Sequence, residues 1–229
     1  MPRRPTISLA AASLVVAAAA TAEPVPCADP MLAVEAPDPA TAARVCTAAI
    51  AAKAHLTTCS LTQSRPVTIE IRPEIHGPAD HCAGLYACGS DRVTLIPPDA
   101  VRQVMPEGSV FAVLDPATYY DSLVVHELAH ALMDQADCAL PRCAADTEYV
   151  AYALQIDSLP EAAQDRIRNW RDVPDDVPAE RLNDFLLMMK PDIFAVTAWA
   201  HFDGLEGGCA FVADLVGGAA TLALPDLEN

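Results

Sequence analysis

One unbroken segment frames everything else in the chain. From Asp115-Pro116 to Gln135 nothing after Pro116 breaks a helix, and the segment contains His126-Glu127-Leu128-Ala129-His130. Asp is a good N-cap and Pro suits the first helical position, so the helix has a defined start. Residues four apart share one helical face, so the two imidazoles point the same way and can grip one zinc ion. The Glu beside the first His can reach a metal-bound water and take its proton. Val124, Val125, Leu128, Ala129, Leu132 and Met133 form a broad apolar face. Leu123, His126, Glu127, His130 and Asp134 gather on the opposite side. The expectation is a helix over about 117–135 that buries one face and turns its polar residues to a cleft. The competing reading is an amphipathic helix whose His pair is accidental and solvated.

The flanking segments predict an α+β fold. Asp38-Pro39 opens an Ala-rich helix running to about His55. Val67–Ile71 alternates and is β-branched, so it reads as a strand. Leu85–Cys88 and Arg92–Ile96 read as two more, joined through Gly89-Ser90-Asp91 as a hairpin. Glu23 to Pro39 is Pro- and Ala-rich and is expected to be merely extended. A short helix is expected over Asp99–Met105. Further helices are expected over Ala145–Asp157, Pro160–Asp172, Pro178–Met189, Asp192–Phe202 and Cys209–Leu215. Strands early and helices late give a small, mostly antiparallel sheet, the motif helix, then a helical C-terminal half. We expect one domain over 23–229, with the sheet in about 60–136 and the helical part in about 137–229.

The first residues place the chain in a compartment. Arg3-Arg4, an apolar run from Ile7 to Ala20 and Ala20-Thr21-Ala22 make a secretory signal peptide over residues 1–22. No later run of 18 uninterrupted apolar residues exists, so no membrane association is expected after cleavage. The eight cysteines are an even number behind a signal peptide, which implies disulfides in an oxidising compartment. Cys82/Cys88 and Cys138/Cys143 could each close a small loop, leaving Cys46/Cys59 and Cys27/Cys209, although eight cysteines allow 105 pairings. The Ala- and Pro-rich composition suits a GC-rich bacterial genome, so the periplasm or the medium is expected. With 31 acidic against 14 basic residues, the net charge of −17 argues against nucleic acid or an anionic membrane as partner. It weakly favours cationic substrates.

Two imidazoles do not complete a hydrolytic zinc site, which takes three protein ligands and keeps one position open. Glu148 is the third ligand expected. It lies on the predicted helix after the 138–143 loop, with 17 residues between it and His130. That is room for one helix to end and a second to return beside it. Asp134, Asp137 and His201 are the competing ligands. Tyr152 shares the face of Glu148 and is a candidate oxyanion donor, as is Tyr149. His201 could donate a hydrogen bond to a tetrahedral intermediate. For all three the competing reading is core packing. His55, His76 and His81 lack metal spacing and read as surface residues.

His126-Glu127-x-x-His130 followed by Glu148 on the next helix resembles the gluzincin branch of the zincin metallopeptidases, over about residues 66–155. The resemblance implies that His126, His130 and Glu148 bind zinc and that Glu127 is the catalytic base. It also implies a zincin-like sheet before the motif helix. Tyr152 stands where the thermolysin-like group has an Asp. Met133 and Ala136 exclude the metzincin pattern, which needs Gly and His or Asp there. The expected function is a secreted, zinc-dependent metallohydrolase, a peptidase acting on peptide or protein substrates. Its rivals are a zinc-binding or interaction protein without turnover on the same scaffold, and a disulfide-stabilised domain without metal.

Overall fold

The computed structural model describes residues 23–75, 83–136, 144–171 and 177–224. The expected leader, His76, His81, Asp137, Cys82, Cys138 and Cys143 lie outside these residues. The strands are β1 (Val25–Pro26), β2 (Leu32–Glu35), β3 (Val67–Ile71), β4 (Gly84–Ala87) and β5 (Arg92–Leu95). The helices are α1 (Pro39–Thr58), α2 (Val101–Val104), α3 (Pro116–Gln135), α4 (Ala144–Asp157), α5 (Glu161–Arg168), α6 (Asp184–Met189), α7 (Pro191–Gly204) and α8 (Gly208–Gly217). A 3-10 turn at Val110–Val113 leads into α3.

The fold is α+β, but the sheet corrects the expected one. Its order is β1-β2-β3-β5-β4. The β2–β3 and β3–β5 pairs are parallel, and β1–β2 and β4–β5 are antiparallel. The sheet is therefore mixed rather than mostly antiparallel. The cause is α1, which carries the chain back between β2 and β3 and leaves them parallel. The sheet also begins at Val25, well before residue 60. β1 is two residues long and contains Pro26, which lacks an N–H and is confined to a sheet edge.

One face of the sheet is apolar and the other charged. Val67, Ile69 and Ile71 of β3 are buried, while Thr68 and Glu70 between them are half-buried. On the polar face Arg72 bridges Glu35 at 2.7 Å and Glu70 at 3.0 Å, and Arg92 pairs with Glu70. The apolar side is covered by α1 and α3, which also pack on each other. Both helices start in the same way. Asp38 accepts hydrogen bonds from the N–H groups of Ala40 and Thr41, and Asp115 accepts from that of Thr118.

α3 is the central element. Between Tyr119 and Met133 every residue except Asp121 and His130 is buried. The expected open polar face is thus closed over by β4 and by α4, which returns alongside α3. α4 packs in turn against α7, and α8 against both. Phe194, Ala195, Val196, Ala198 and Trp199 make α7 the apolar centre of this helical half. At its far end α3 is tied to the β4–β5 hairpin: Asp134 accepts from the Tyr86 hydroxyl at 2.7 Å and from Gly89 N–H at 3.0 Å.

Two disulfides are formed among the described residues, Cys27–Cys46 and Cys59–Cys209. They replace the expected pairing of Cys46 with Cys59 and Cys27 with Cys209. The reason is that Cys59 caps the end of α1 and meets α8, while Cys46 faces the loop before β2. Cys88 is exposed and has no disulfide among the described residues. Cys59–Cys209 spans 150 residues and joins the sheet layer to the last helix. Constraining so long a loop restricts the unfolded chain strongly. Replacing both cysteines by Ser is expected to lower the unfolding free energy by about 2–5 kcal/mol, measured by urea denaturation without reductant.

Candidate metal centre

Three side chains from two helices converge below the edge strand. His126 and His130 are one turn apart on α3, and Glu148 lies in the second turn of α4. The start of α4 is held from outside: Ala145 N–H donates to Asp184 at 2.7 Å, and Asp146 accepts from Leu222 N–H at 2.6 Å. These bonds fix where Glu148 enters the site. His126 Nε2 and His130 Nε2 are 3.2 Å apart. Glu148 lies 3.5 Å from the first and 3.4 Å from the second.

That triangle fits a metal ion. A four-coordinate ion with bonds of about 2.0–2.2 Å has ligand atoms about 3.3–3.6 Å apart, by tetrahedral geometry. The imidazole nitrogens, 3.2 Å apart, are close to one edge of such a tetrahedron, and the Glu148 carboxylate faces both, with Oε2 3.5 Å from His126 Nε2 and Oε1 3.4 Å from His130 Nε2. The two His–Glu distances are also long for charge-assisted hydrogen bonds. His126, His130 and Glu148 therefore form a group that could bind a metal ion, which agrees with the expected ligand set.

Burial sets the protonation states. Desolvation holds His126 well below the usual imidazole range, with the neighbouring His130 adding to it, and it brings His130 down to about 4. Both rings are neutral at ordinary pH, the form in which imidazole binds metals. Burial pushes Glu148 up to about 7. Glu127 is pushed up to about 8, first by burial and then by the nearby Glu148 charge.

Glu127 sits against β4. The Tyr86 backbone N–H donates to its carboxylate, and Gly84 lies directly over it. A Cβ at residue 84 would fall 2.5 Å from Glu127 Oε1. A side chain at residue 84 would have to displace Glu127, a close approach that neither the strand pattern nor the motif reveals. Tyr152 also faces the site. Its ring centroid is 4.5 Å from that of His126, and it stacks on Phe111. Burial, with Glu148 next in effect, keeps its phenol protonated.

Other residues singled out in the sequence fall elsewhere. His201 Nδ1 is 2.7 Å from the Tyr149 hydroxyl, in a buried contact that also includes Phe211. His201 and Tyr149 do not line the cavity around the triad. Asp134 is committed to Tyr86 and Gly89, as described above. His55 lies 3.4 Å from Asp157. Gln155 was not legible as a site residue, yet it is 1% exposed, lies beside His126 and donates to Ser122 at 3.2 Å. Its position seven residues after Glu148 on the same helix face is the signal that could have found it.

The site opens into a cavity of about 580 Å³, within the range of small-ligand pockets. Strand β4, helices α3 and α4 and the start of α7 line it.

The family described as "Family of unknown function (DUF6639)" matches residues 32–225, and the chain belongs to it. No curated protein and no solved structure matches the chain.

Two predictions follow from the geometry. Below about pH 7 Glu148 must lose a proton before it can bind a metal, whereas the imidazoles are already neutral. Divalent-ion affinity, probed with Zn2+, is expected to weaken about tenfold per pH unit as pH falls from 7 towards 5. In Glu148→Gln that slope should vanish along with most of the affinity. A flat profile in the unaltered protein would remove Glu148 from the ligand set. Gly84→Ala is expected to displace Glu127 and to destabilise the fold by about 1–3 kcal/mol, read from urea unfolding.

Proposed function

We propose that this member of a family without an assigned function is a secreted, zinc-dependent metallohydrolase that cleaves peptide bonds. The observation that carries the reading is the joint placement of the His126–His130–Glu148 triangle and the Glu127 carboxylate in one cavity. Two imidazoles and one carboxylate with an open position are the donor set of a hydrolytic zinc site. When bound, zinc would supply Lewis acidity that polarises a carbonyl and lowers the pKa of water.

The protein's own groups would do the remaining work. Glu127 takes the proton of the attacking water and passes it to the departing amine. Its raised pKa suits a group that must both accept and return a proton near neutrality. The Tyr86 N–H and the lack of a side chain at Gly84 hold that carboxylate in place. Tyr152, a protonated phenol beside His126, donates to the carbonyl oxygen as it gains charge. His201 contributes indirectly, by fixing Tyr149 on the side of α4 facing away from the cavity.

Strand β4 supports a peptide as the substrate class. It is the edge strand of the sheet and lines the cavity. Ile96 N–H donates to the Ala83 carbonyl, so the alternation of an antiparallel pair turns the backbone groups of Gly84 and Tyr86 away from β5; the Tyr86 N–H goes to Glu127, which leaves both groups of Gly84 and the Tyr86 carbonyl for a partner. An extended peptide can pair with such an edge. The two disulfides fit an oxidising compartment, and among the described residues no helix is long and apolar enough to cross a membrane.

Glu127→Gln is expected to keep about one zinc per chain while hydrolysis of a mixed peptide library falls at least about 100-fold. Metal analysis and mass spectrometry of the digest read the two quantities separately. Full activity in Glu127→Gln would sink the mechanism. Zinc uptake without turnover in the unaltered protein would favour a binding protein on the same scaffold.

A further inference from the structure

The cavity contains one acidic group that neither the metal triangle nor the proton transfer uses. Asp192 lies in the first turn of α7 and lines the cavity together with β4. Its Oδ1 accepts the Ser109 hydroxyl at 2.9 Å and the Val110 N–H at 3.0 Å. Both bonds fall on the same oxygen. Oδ2 has no partner among the described residues, although an ionised carboxylate can accept about four hydrogen bonds.

The surroundings make the exception sharper. Ser109 is 7% exposed, so the bonds that orient Asp192 come from a fixed and largely dry segment. Among the described residues no Lys or Arg lines the cavity, while Glu127 and Glu148 line it with Asp192. The charge of Asp192 reaches inward as far as Tyr152, whose phenol it helps keep protonated. Nearby walls are apolar, with Val104, Met105 and Leu187 among them. An oriented carboxylate on an apolar rim offers a strong, directional contact to a cation. It offers nothing to a neutral side chain of the same size.

We propose that Asp192 is the specificity-determining anion of this cavity and selects peptides that place a cationic nitrogen next to the scissile bond. The assignment rests on the peptidase reading for the word "scissile", but the binding preference stands without turnover. The cation is either a Lys or Arg side chain or the free amine of a peptide N-terminus. Both would use the same Oδ2.

The test is a binding measurement on zinc-loaded Glu127→Gln protein, with and without Asp192→Asn. Asn keeps the side-chain oxygen that Ser109 and Val110 bind and replaces the charged Oδ2 by a neutral NH2. Calorimetry would compare short peptides containing Lys with the same peptides containing norleucine, each with a free and with an acetylated N-terminus. The expected result is at least a tenfold preference for the cationic member, reduced to near unity by Asp192→Asn. A preference for Lys over norleucine that survives acetylation assigns the side chain; equal binding of the Lys and norleucine peptides with at least a tenfold loss on acetylation assigns the N-terminal amine. Either supports the proposal. Equal affinities of all four peptides, or a preference that Asp192→Asn leaves intact, would overturn it. Salt gives a second reading in protein with Asp192 intact, where the preference should shrink as ionic strength rises. A preference insensitive to salt would count against Asp192. Peptides that bind selectively but are never cut by the unaltered protein would overturn the peptidase reading while the selectivity stands.

Discussion

The energetic problem at the heart of this fold is the burial of four ionisable groups on two adjacent helices. His126, Glu127, His130 and Glu148 sit where water is largely excluded. The cost of holding charge there shows in every one of them, with the imidazoles driven down and the carboxyls driven up. Apolar packing could have filled this space at lower cost. Instead α3 is clamped between α1, β4 and α4, and its polar face is kept within reach of a cavity. A cation among the three donor atoms would reverse the penalty, because Glu148 would then favour its ionised form. The rest of the structure supplies the rigidity that such a site requires.

That rigidity comes from unrelated parts of the chain. The tail at Thr221 and Leu222 grips Asp146, and α6 grips Ala145, so the position of Glu148 depends on residues some 40 to 75 places away. On the other side, Asp134 locks the end of α3 to the hairpin whose edge strand covers Glu127. Supporting bonds of this kind matter in metal sites because small displacements of a ligand degrade geometry and affinity.

The local grammar of the chain was legible where it was strong. Asp38-Pro39 and Asp115-Pro116 announced two helices that begin at those prolines, and Val67–Ile71 and the Gly89-Ser90-Asp91 turn announced their strand and hairpin. The spacing of His126, His130 and Glu148 identified a group that the fold does bring together. What escaped were consequences of tertiary contact. β2 is only four residues long in a segment that looked irregular, and its parallel partner β3 lies beyond a helix. Gly84 matters because of what packs over it, and Asp192 because of which cavity α7 borders. Neither shows in local pattern. The partners of Cys59 and Cys27 likewise depend on how α8 meets α1, which no spacing encodes.

The bond between Cys59 and Cys209 has a topological result. It closes residues 59 to 209 into a covalent ring, and Gly84, Glu127, the three metal-site residues, Tyr152 and Asp192 all lie within it. A single cut in any loop inside the ring opens a circle instead of releasing a piece. Both sides of the cavity remain attached to one another, and the packed core can hold the nicked chain in register. The centre would stay assembled after a cut that would divide an unlinked chain in two.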